Sequence, residues 1–378
     1  MARKTIERNI SYDQNRKLFY VCLNYGSGPD GRRQKRYATF PTLAQARRAL
    51  SAFEGEREVH PVIPPQDMTL AQWLDLWLRE IIIPNRAETT AYSYQKTVDN
   101  HLIPALGGIR LQKLKPLHIQ QYYSSQLQRG LSPNTVRRHH DLLAAALRMA
   151  VQQEVLYASP TDRVEPPKTV QPQARFYSPE ELKRLFAAAE GSWLELIVRL
   201  AACLGLRREE ICGLRWDSVD FELQRIHIRE ARTTAGGTIV HKETKNRSST
   251  RVLYMNPELA ALLRREQLRQ ADNRRRFGDR YVESGLVAVD DRGVPYSPNA
   301  VSQGFSRLIR THGLPKLTLH GLRHTFASVA NSAHIPLPDI SRALGHKDVV
   351  VTGRVYTHIF DQTHVEAVSA VARSIRGA

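Results

Sequence analysis

The sequence predicts a mainly α protein with small β elements (α+β): an N-terminal sheet-plus-helix domain, a helical middle domain, and a mostly helical C-terminal domain with a short antiparallel sheet. Three observations predict it. Pro-rich stretches at 56–66 (Pro61, Pro64, Pro65) and 158–177 (Pro160, Pro166, Pro167, Pro172) divide the 378 residues into three segments, 1–57, 67–157 and 175–378, as stiff linkers do. Apolar residues recur with helical period through most of the second and third segments. β-forming runs joined by turn residues are confined to the first segment and to one insert in the third.

In the first segment, residues 17–25 are rich in β-formers, 26–31 carry turn chemistry, 36–40 form a partner strand, and 42–54 are helical. The segment has twelve basic and five acidic residues. Its run Arg32, Arg33, Lys35, Arg36 has two readings: a charged sheet edge that resists aggregation, or a β-sheet that contacts DNA.

In the second segment, Leu70, Trp73, Leu74, Trp77, Leu78 and Ile81 fall on one helical face, and core packing explains the two tryptophans better than stacking platforms do. Thr69 and Gln72 make a capping box at its start. Further helices are predicted over 89–103, 115–128 and 133–155, the last opened by Ser132 as N-cap and Pro133 at the first helical position. In the third segment, Ser178, Pro179 and Glu181 open a helix and 194–206 is a buried one. Residues 225–229 and 238–241 are predicted as strands joined around Gly236 and Gly237, with 251–255 as a third; helices return from Pro257.

Lys and Arg number 55 against 37 Asp and Glu, a net charge of +18. Such an excess favours a polyanionic partner, nucleic acid above all. The apolar stretch 194–206 is broken by Glu195 and Arg199, far short of the roughly 18 residues of a spanning helix. The basic N-terminus has no apolar core of a signal peptide. Cys22, Cys203 and Cys212 form no CxxC pair, which fits a reducing cytoplasm. The expectations are a cytoplasmic protein, nucleoid-associated when DNA-bound, with no membrane partner.

The chemistry sits in short separated motifs. Leu204-Gly205-Leu206-Arg207 follows the buried helix and precedes the apolar positions Ile211, Leu214 and Trp216, so packed neighbours can aim Arg207 inward. Leu319-His320-Gly321-Leu322-Arg323-His324 places His320 and Arg323 on one helical face, where imidazole and guanidinium make an oxyanion site. His320 and His324 are spaced as zinc ligands can be, but no Glu follows His320 and no Cys lies nearby. Thr244-Lys245-Asn246-Arg247 lies in the loop between strands, Gly345-His346 closes a helix, and Val355-Tyr356 follows ten residues later.

This ordered set resembles the tyrosine recombinase (phage integrase) family, in its three-domain form found in temperate phages and conjugative transposons. The matching residues are Arg207, Lys245, His320, Arg323, His346 and Tyr356; loop length leaves Lys242 as the alternative to Lys245. The first two segments resemble the arm-type DNA-binding domain and the helical core-binding (SAM-like) domain.

The resemblance implies a site-specific recombinase that integrates, and also excises, a mobile element. Arg207 and Arg323 would hold the non-bridging oxygens of the scissile phosphate, where loss of one such donor typically costs about 2.7–4 kcal/mol. His346 would add a hydrogen bond. Tyr356 would attack, His320 would take its proton, and Lys245 would protonate the leaving 5′ oxygen. The 3′-phosphotyrosine bond conserves energy, so no cofactor is expected: no ATP motif and no carboxylate cluster for Mg²⁺ is present. Glu210 would orient the site. Implied partners are double-stranded DNA at core and arm sites, a homotetramer passing through a Holliday junction, an excisionase and a host DNA-bending protein. A type IB topoisomerase-like enzyme and a catalytically silent DNA-binding regulator are the rival readings. In the tail, Thr363 and Glu366 form a capping box, and Val365, Val368, Ala372 and Ile375 a stripe on a short helix that docks in cis or, as the resemblance implies, on a neighbouring protomer.

Overall fold

A computed structural model describes residues 3–27, 33–59, 67–170, 175–243 and 250–345. The chain divides into two compact units, 1–171 and 172–378.

The first unit begins with a four-stranded antiparallel meander, β1 (Lys4–Glu7), β2 (Ile10–Asp13), β3 (Leu18–Ser27) and β4 (Arg33–Phe40). Helix α1 (Leu43–Val59) follows, and Ile10, Val21 and Ala46 form a small core of their own. The sequence reading found β3, β4 and α1. It missed β1 and β2, which are four residues each and half polar, joined through Asn9 at φ 68°, a residue type that tolerates the left-handed region. Helix α1 runs on to Val59, so the expected linker from residue 56 begins inside it.

The rest of this unit is a helical bundle with a separate core. Helix α2 (Leu70–Trp77) passes through a π turn (Leu78–Ile82) into α3 (Ile83–Asn85). Helix α4 (Glu88–Thr97) passes through a second π turn (Val98–Leu102) into α5 (Ile103–Leu106). Each π turn closes with an i→i−5 bond, Ile83 N to Leu78 O and Ile103 N to Val98 O, and each is followed at once by proline, Pro84 or Pro104. A helix-interior proline lacks a donor and crowds the preceding turn; widening that turn keeps the helix going. Helices α6 (Pro116–Gln128) and α7 (Pro133–Gln152) complete the bundle. The capping box at Thr69 and the N-cap at Ser132 form as expected. Trp73 and Trp77 are buried, and the Trp73 indole donates to Ala146 O at 2.9 Å.

The second Pro-rich stretch is not a bare spacer. Pro160–Arg163 forms a 3₁₀ turn with Ser159 and Thr161 buried. Gln120 exchanges hydrogen bonds with the Glu165 backbone and Asn134 with the Val170 backbone, which ties this segment to the bundle. Tyr177 belongs to the core of the second unit.

The second unit packs helices α8 (Pro179–Ala189), α9 (Glu195–Leu204), α10 (Arg208–Gly213), α11 (Pro257–Phe277), α12 (Pro298–Thr311), α13 (Leu319–Ser332) and α14 (Leu337–Leu344). Leu185, Val198, Ile211, Leu263, Phe305 and Leu322 are fully buried in its centre. Between α10 and α11 lie β5 (Val219–Asp220), β6 (Arg225–Ile228), β7 (Glu230–Ala235), β8 (Thr238–Glu243) and β9 (Arg251–Tyr254). The predicted hairpin between 225–229 and 238–241 does not form. The turn at Gly236 and Gly237 joins β7 to β8, whereas β6 pairs with β5 and β9. Strand β6 turns Ile226 and Ile228 into the core, Ile226 opposite Leu253 and Ile228 opposite Arg251, while the hairpin strand β7, EARTTA, shows no apolar alternation by which to recognise it.

Candidate active site

The site is built where two helices end. Helices α9 and α14 both close on a left-handed glycine, Gly205 at φ 62° and Gly345 at φ 66°, the conformation glycine adopts without strain. A Cβ on Gly205 would stand 2.8 Å from Leu344 Cδ2 and 2.8 Å from Phe326 Cδ1, so α9, α13 and α14 meet at a point with no room for a side chain. Arg207 follows two residues after Gly205 and is the N-cap residue of α10, held between Leu206 and Ile211, both fully buried.

Helix α13 brings His320 and Arg323 to the same place. Arg323 is buried, and its guanidinium donates to Gly205 O at 2.8 Å and to Leu344 O. A buried guanidinium needs acceptors, and the last carbonyls of a helix have no partner within it. Arg207 donates from Nη1 to Glu210 Oε1 at 2.7 Å and from Nη2 to Gly345 O at 3.3 Å. The Glu210 carboxylate also accepts the Arg207 backbone N–H at 2.8 Å and both Nη groups of Arg251 at 2.9 and 2.8 Å. Burial opposes its charge, but the Arg251 hydrogen bonds and the Arg251 and Arg207 charges prevail and hold its pKa at about 2.

His320 stands in the first turn of α13 with part of its ring open to solvent. Desolvation by packed neighbours, then the Arg323 charge, lowers its pKa, with a further push from Arg207. A neutral imidazole at neutral pH can accept a proton. His324 lies edge-on to it, 5.0 Å between ring centres, and is pulled down to about 4 by burial, then by His320 and Arg323. Among the described residues no cluster of three or more metal-ligating side chains occurs. No described helix is long and apolar enough to cross a membrane.

Three of the six expected catalytic residues, Arg207, His320 and Arg323, thus converge. Lys245, His346 and Tyr356 lie outside the described residues, as does the tail. Lys242, the alternative lysine, sits on β8 opposite Ala231.

Residues 175–363 match the Phage integrase family, and residues 69–127 match the Phage integrase, N-terminal SAM-like domain. The chain belongs to the phage integrase family. Its activity is tyrosine-type site-specific DNA recombination. Among similar proteins, a "Tyrosine recombinase XerC-like" protein of Caldanaerobacter subterraneus subsp. tengcongensis is 26% identical, with 98% of this chain and 99% of that protein covered. The Tn1549 transposon integrase, solved in complex with a circular intermediate DNA, shares the fold at TM-score 0.68 and 21% identity, over 80% of this chain and 99% of that one. Lambda integrase, solved as a tetramer bound to a Holliday junction, does so at TM-score 0.57 and 17% identity, over 91% and 97%.

Within this family member, sequence reasoning missed Arg251. It is buried on β9, on the same strand face as Leu253, and its Nε donates to Ala343 O at 2.7 Å. The signal was there: an arginine in phase with an inward leucine is a buried charge that needs a partner. The expected basic run of the first unit is split by the pleat. Arg32 lies outside the described residues. On β4, Lys35 pairs with Asn24 and Tyr37 with Cys22, whereas the intervening Arg36 pairs with Leu23, a residue packed against the small core. Neighbouring strand residues face opposite sides, so Lys35 and Arg36 do not share a surface. Lys35 and Tyr37 are on the side of Tyr20, whose ring is covered by Arg3 at 3.8 Å.

Proposed function

We propose that this recombinase integrates and excises a mobile element by cleaving and rejoining DNA through a 3′-phosphotyrosine bond at Tyr356. Arg207 and Arg323 bind the non-bridging oxygens of the scissile phosphate and stabilise the charge that grows in the transition state. His346 adds a hydrogen bond. His320 takes the tyrosine proton, and Lys245 protonates the leaving 5′ oxygen. Residues 67–157 and 175–378 hold the core site, and residues 1–57 hold arm sites through the sheet face bearing Lys35 and Tyr37, with Arg32 and Arg33 as further DNA contacts and Arg36 on the opposite side. Four protomers form the synapse, with the tail seated on a neighbour, and an excisionase and a DNA-bending protein set direction. The protein works in the cytoplasm, on the nucleoid.

The reading rests above all on one observation: Arg207 at the start of α10 and His320 and Arg323 of α13 converge around the junction of two helix ends. That convergence also favours an enzyme over a silent DNA-binding regulator.

The test is covalent capture on a nicked duplex carrying the element's junction sequence. Tyr356→Phe removes only a hydroxyl, so DNA binding persists while the protein–DNA adduct disappears from a denaturing gel. The wild-type adduct forms equally in EDTA. An adduct with the Phe variant, or cleavage that needs added metal, refutes the assignment.

A further inference from the structure

Three arginines from three different elements donate to three consecutive carbonyls at the end of α14. Arg251 takes Ala343 O at 2.7 Å, Arg323 takes Leu344 O, and Arg207 takes Gly345 O at 3.3 Å. Two of the three are the proposed phosphate ligands. The third, Arg251, also binds Glu210 through both Nη groups, and Glu210 in turn binds Arg207.

We infer that Arg251 is a positioning residue for strand cleavage: its guanidinium fixes the end of α14 and the carboxylate that aims Arg207, without touching the DNA. This rests on the reading of Arg207 as a phosphate ligand. The end of α14 carries the negative pole of a helix dipole and orphan carbonyls, so a buried cation there locks the point from which the chain continues to His346. The same cation shares both oxygens of Glu210 with Arg207. With Arg251 gone, Arg207 is the one cation among the described residues still bound to Glu210, which draws it inward, away from a phosphate. Arg251 opens β9 and lies close to Lys245 in the chain. Its effect therefore has to be separated from one on leaving-group protonation.

The experiment uses the full chain and a junction-sequence duplex in two forms, one with a normal phosphodiester and one with a 5′-bridging sulfur. The sulfur leaves without a proton, so it rescues a lost general acid but not a misplaced phosphate ligand. Arg251→Met is expected to lower single-turnover adduct formation roughly 10²-fold, the scale of a 1 Å misplacement. DNA affinity stays within a few-fold of wild type, and the sulfur substrate gives no rescue. Lys245→Ala is rescued by sulfur. Arg251→Lys, a point charge that cannot serve Glu210 and Ala343 O together, keeps the fold and stays at least tenfold slow. If Arg251→Met does not fold, the Lys variant decides.

Wild-type cleavage by a folded Met or Lys variant overturns the inference, and so does sulfur rescue, which would place Arg251 in the service of the lysine loop. Arg207→Ala serves as control. If it cleaves normally, the underlying assignment of Arg207 fails; if it is dead while the Arg251 variants are normal, only the present inference fails.

Discussion

Arg323 and Gly205 stand 118 residues apart in the chain and are joined by a 2.8 Å hydrogen bond from guanidinium to main-chain oxygen. The bond fastens the helix that carries His320 to the junction that carries Arg207. Two motifs remote in sequence are thereby held in one frame, and Gly205 is where they meet.

Gly205→Ala is expected to be costly for two reasons. The left-handed backbone charges an L-residue about 1–2 kcal/mol, and overpacking against Leu344 and Phe326 adds about 1–3 kcal/mol. Urea unfolding should show a lower midpoint with an unchanged slope, and cleavage should fall with it. An unchanged midpoint would mean the three helix ends can separate freely.

Glu210 makes the second unit acid-sensitive. Its folded pKa of about 2 lies below the unfolded value of about 4.3. The unfolded chain therefore takes up the proton first. The stabilisation, on the order of 3 kcal/mol, is complete above about pH 4.3 and is lost as pH falls through 2. Glu210→Gln should be much less stable than wild type at pH 7, and the gap should close between about pH 4.3 and 2. A gap of constant size across that range would refute the charge-based account.

A different window belongs to the helical bundle. The Tyr122 hydroxyl lies 2.8 Å from Nδ1 of buried His139, and the His101 ring sits 4.7 Å away. Burial, then His101, lowers the His139 pKa to about 4. The imidazole is neutral when folded, and the unfolded chain binds its proton near pH 6.5. Stability is thus complete above about 6.5 and falls as pH drops to about 4. His140, 2.7 Å from the Tyr123 hydroxyl and also lowered by burial, acts in the same sense. Amide exchange in α6 and α7, corrected for intrinsic rates, should speed up across this window, and His139→Leu should flatten the trend. An equally steep trend in the variant would assign it elsewhere.

The fold class was legible because apolar period and caps report directly on local geometry. The stripe from Leu70 to Leu78 and the box at Thr69 needed no tertiary information. The pairing of β6 with β9 did, since the polar strand β7 and the glycine turn gave no sign of which strand preceded the turn. Likewise the motifs disclosed Arg207, His320 and Arg323 one by one, but not what holds them. Helix-end carbonyls are backbone atoms and leave no letter in a sequence. Arg251 was visible as an arginine in phase with Leu253, but its partners were not.

The sheet of the first unit offers a test of surface against sequence. Because Lys35 and Arg36 point to opposite sides, their neutral variants should differ. Lys35→Ala should lower affinity for a mixed-sequence duplex and reduce the slope of log affinity on log salt by about 0.9. Arg36→Ala should leave the slope as it was. Equal slope changes would mean that DNA wraps the edge rather than lying on one face. Removing residues 1–57 should leave adduct formation on the junction duplex intact while this binding is lost.

Among the described residues, the cluster at the end of α14 brings together three guanidiniums and one carboxylate, Glu210. Carbonyl dipoles soften this imbalance but do not neutralise it. The resting enzyme therefore holds like charges close together and forfeits part of its own stability to do so. An arriving oxyanion cancels the surplus and is rewarded with the repulsion it relieves. Substrate and fold are in this sense the same ledger: the site is primed because the unliganded protein is left electrically unfinished, and a simple sulfate should raise its melting temperature for the same reason that a phosphodiester is gripped at all.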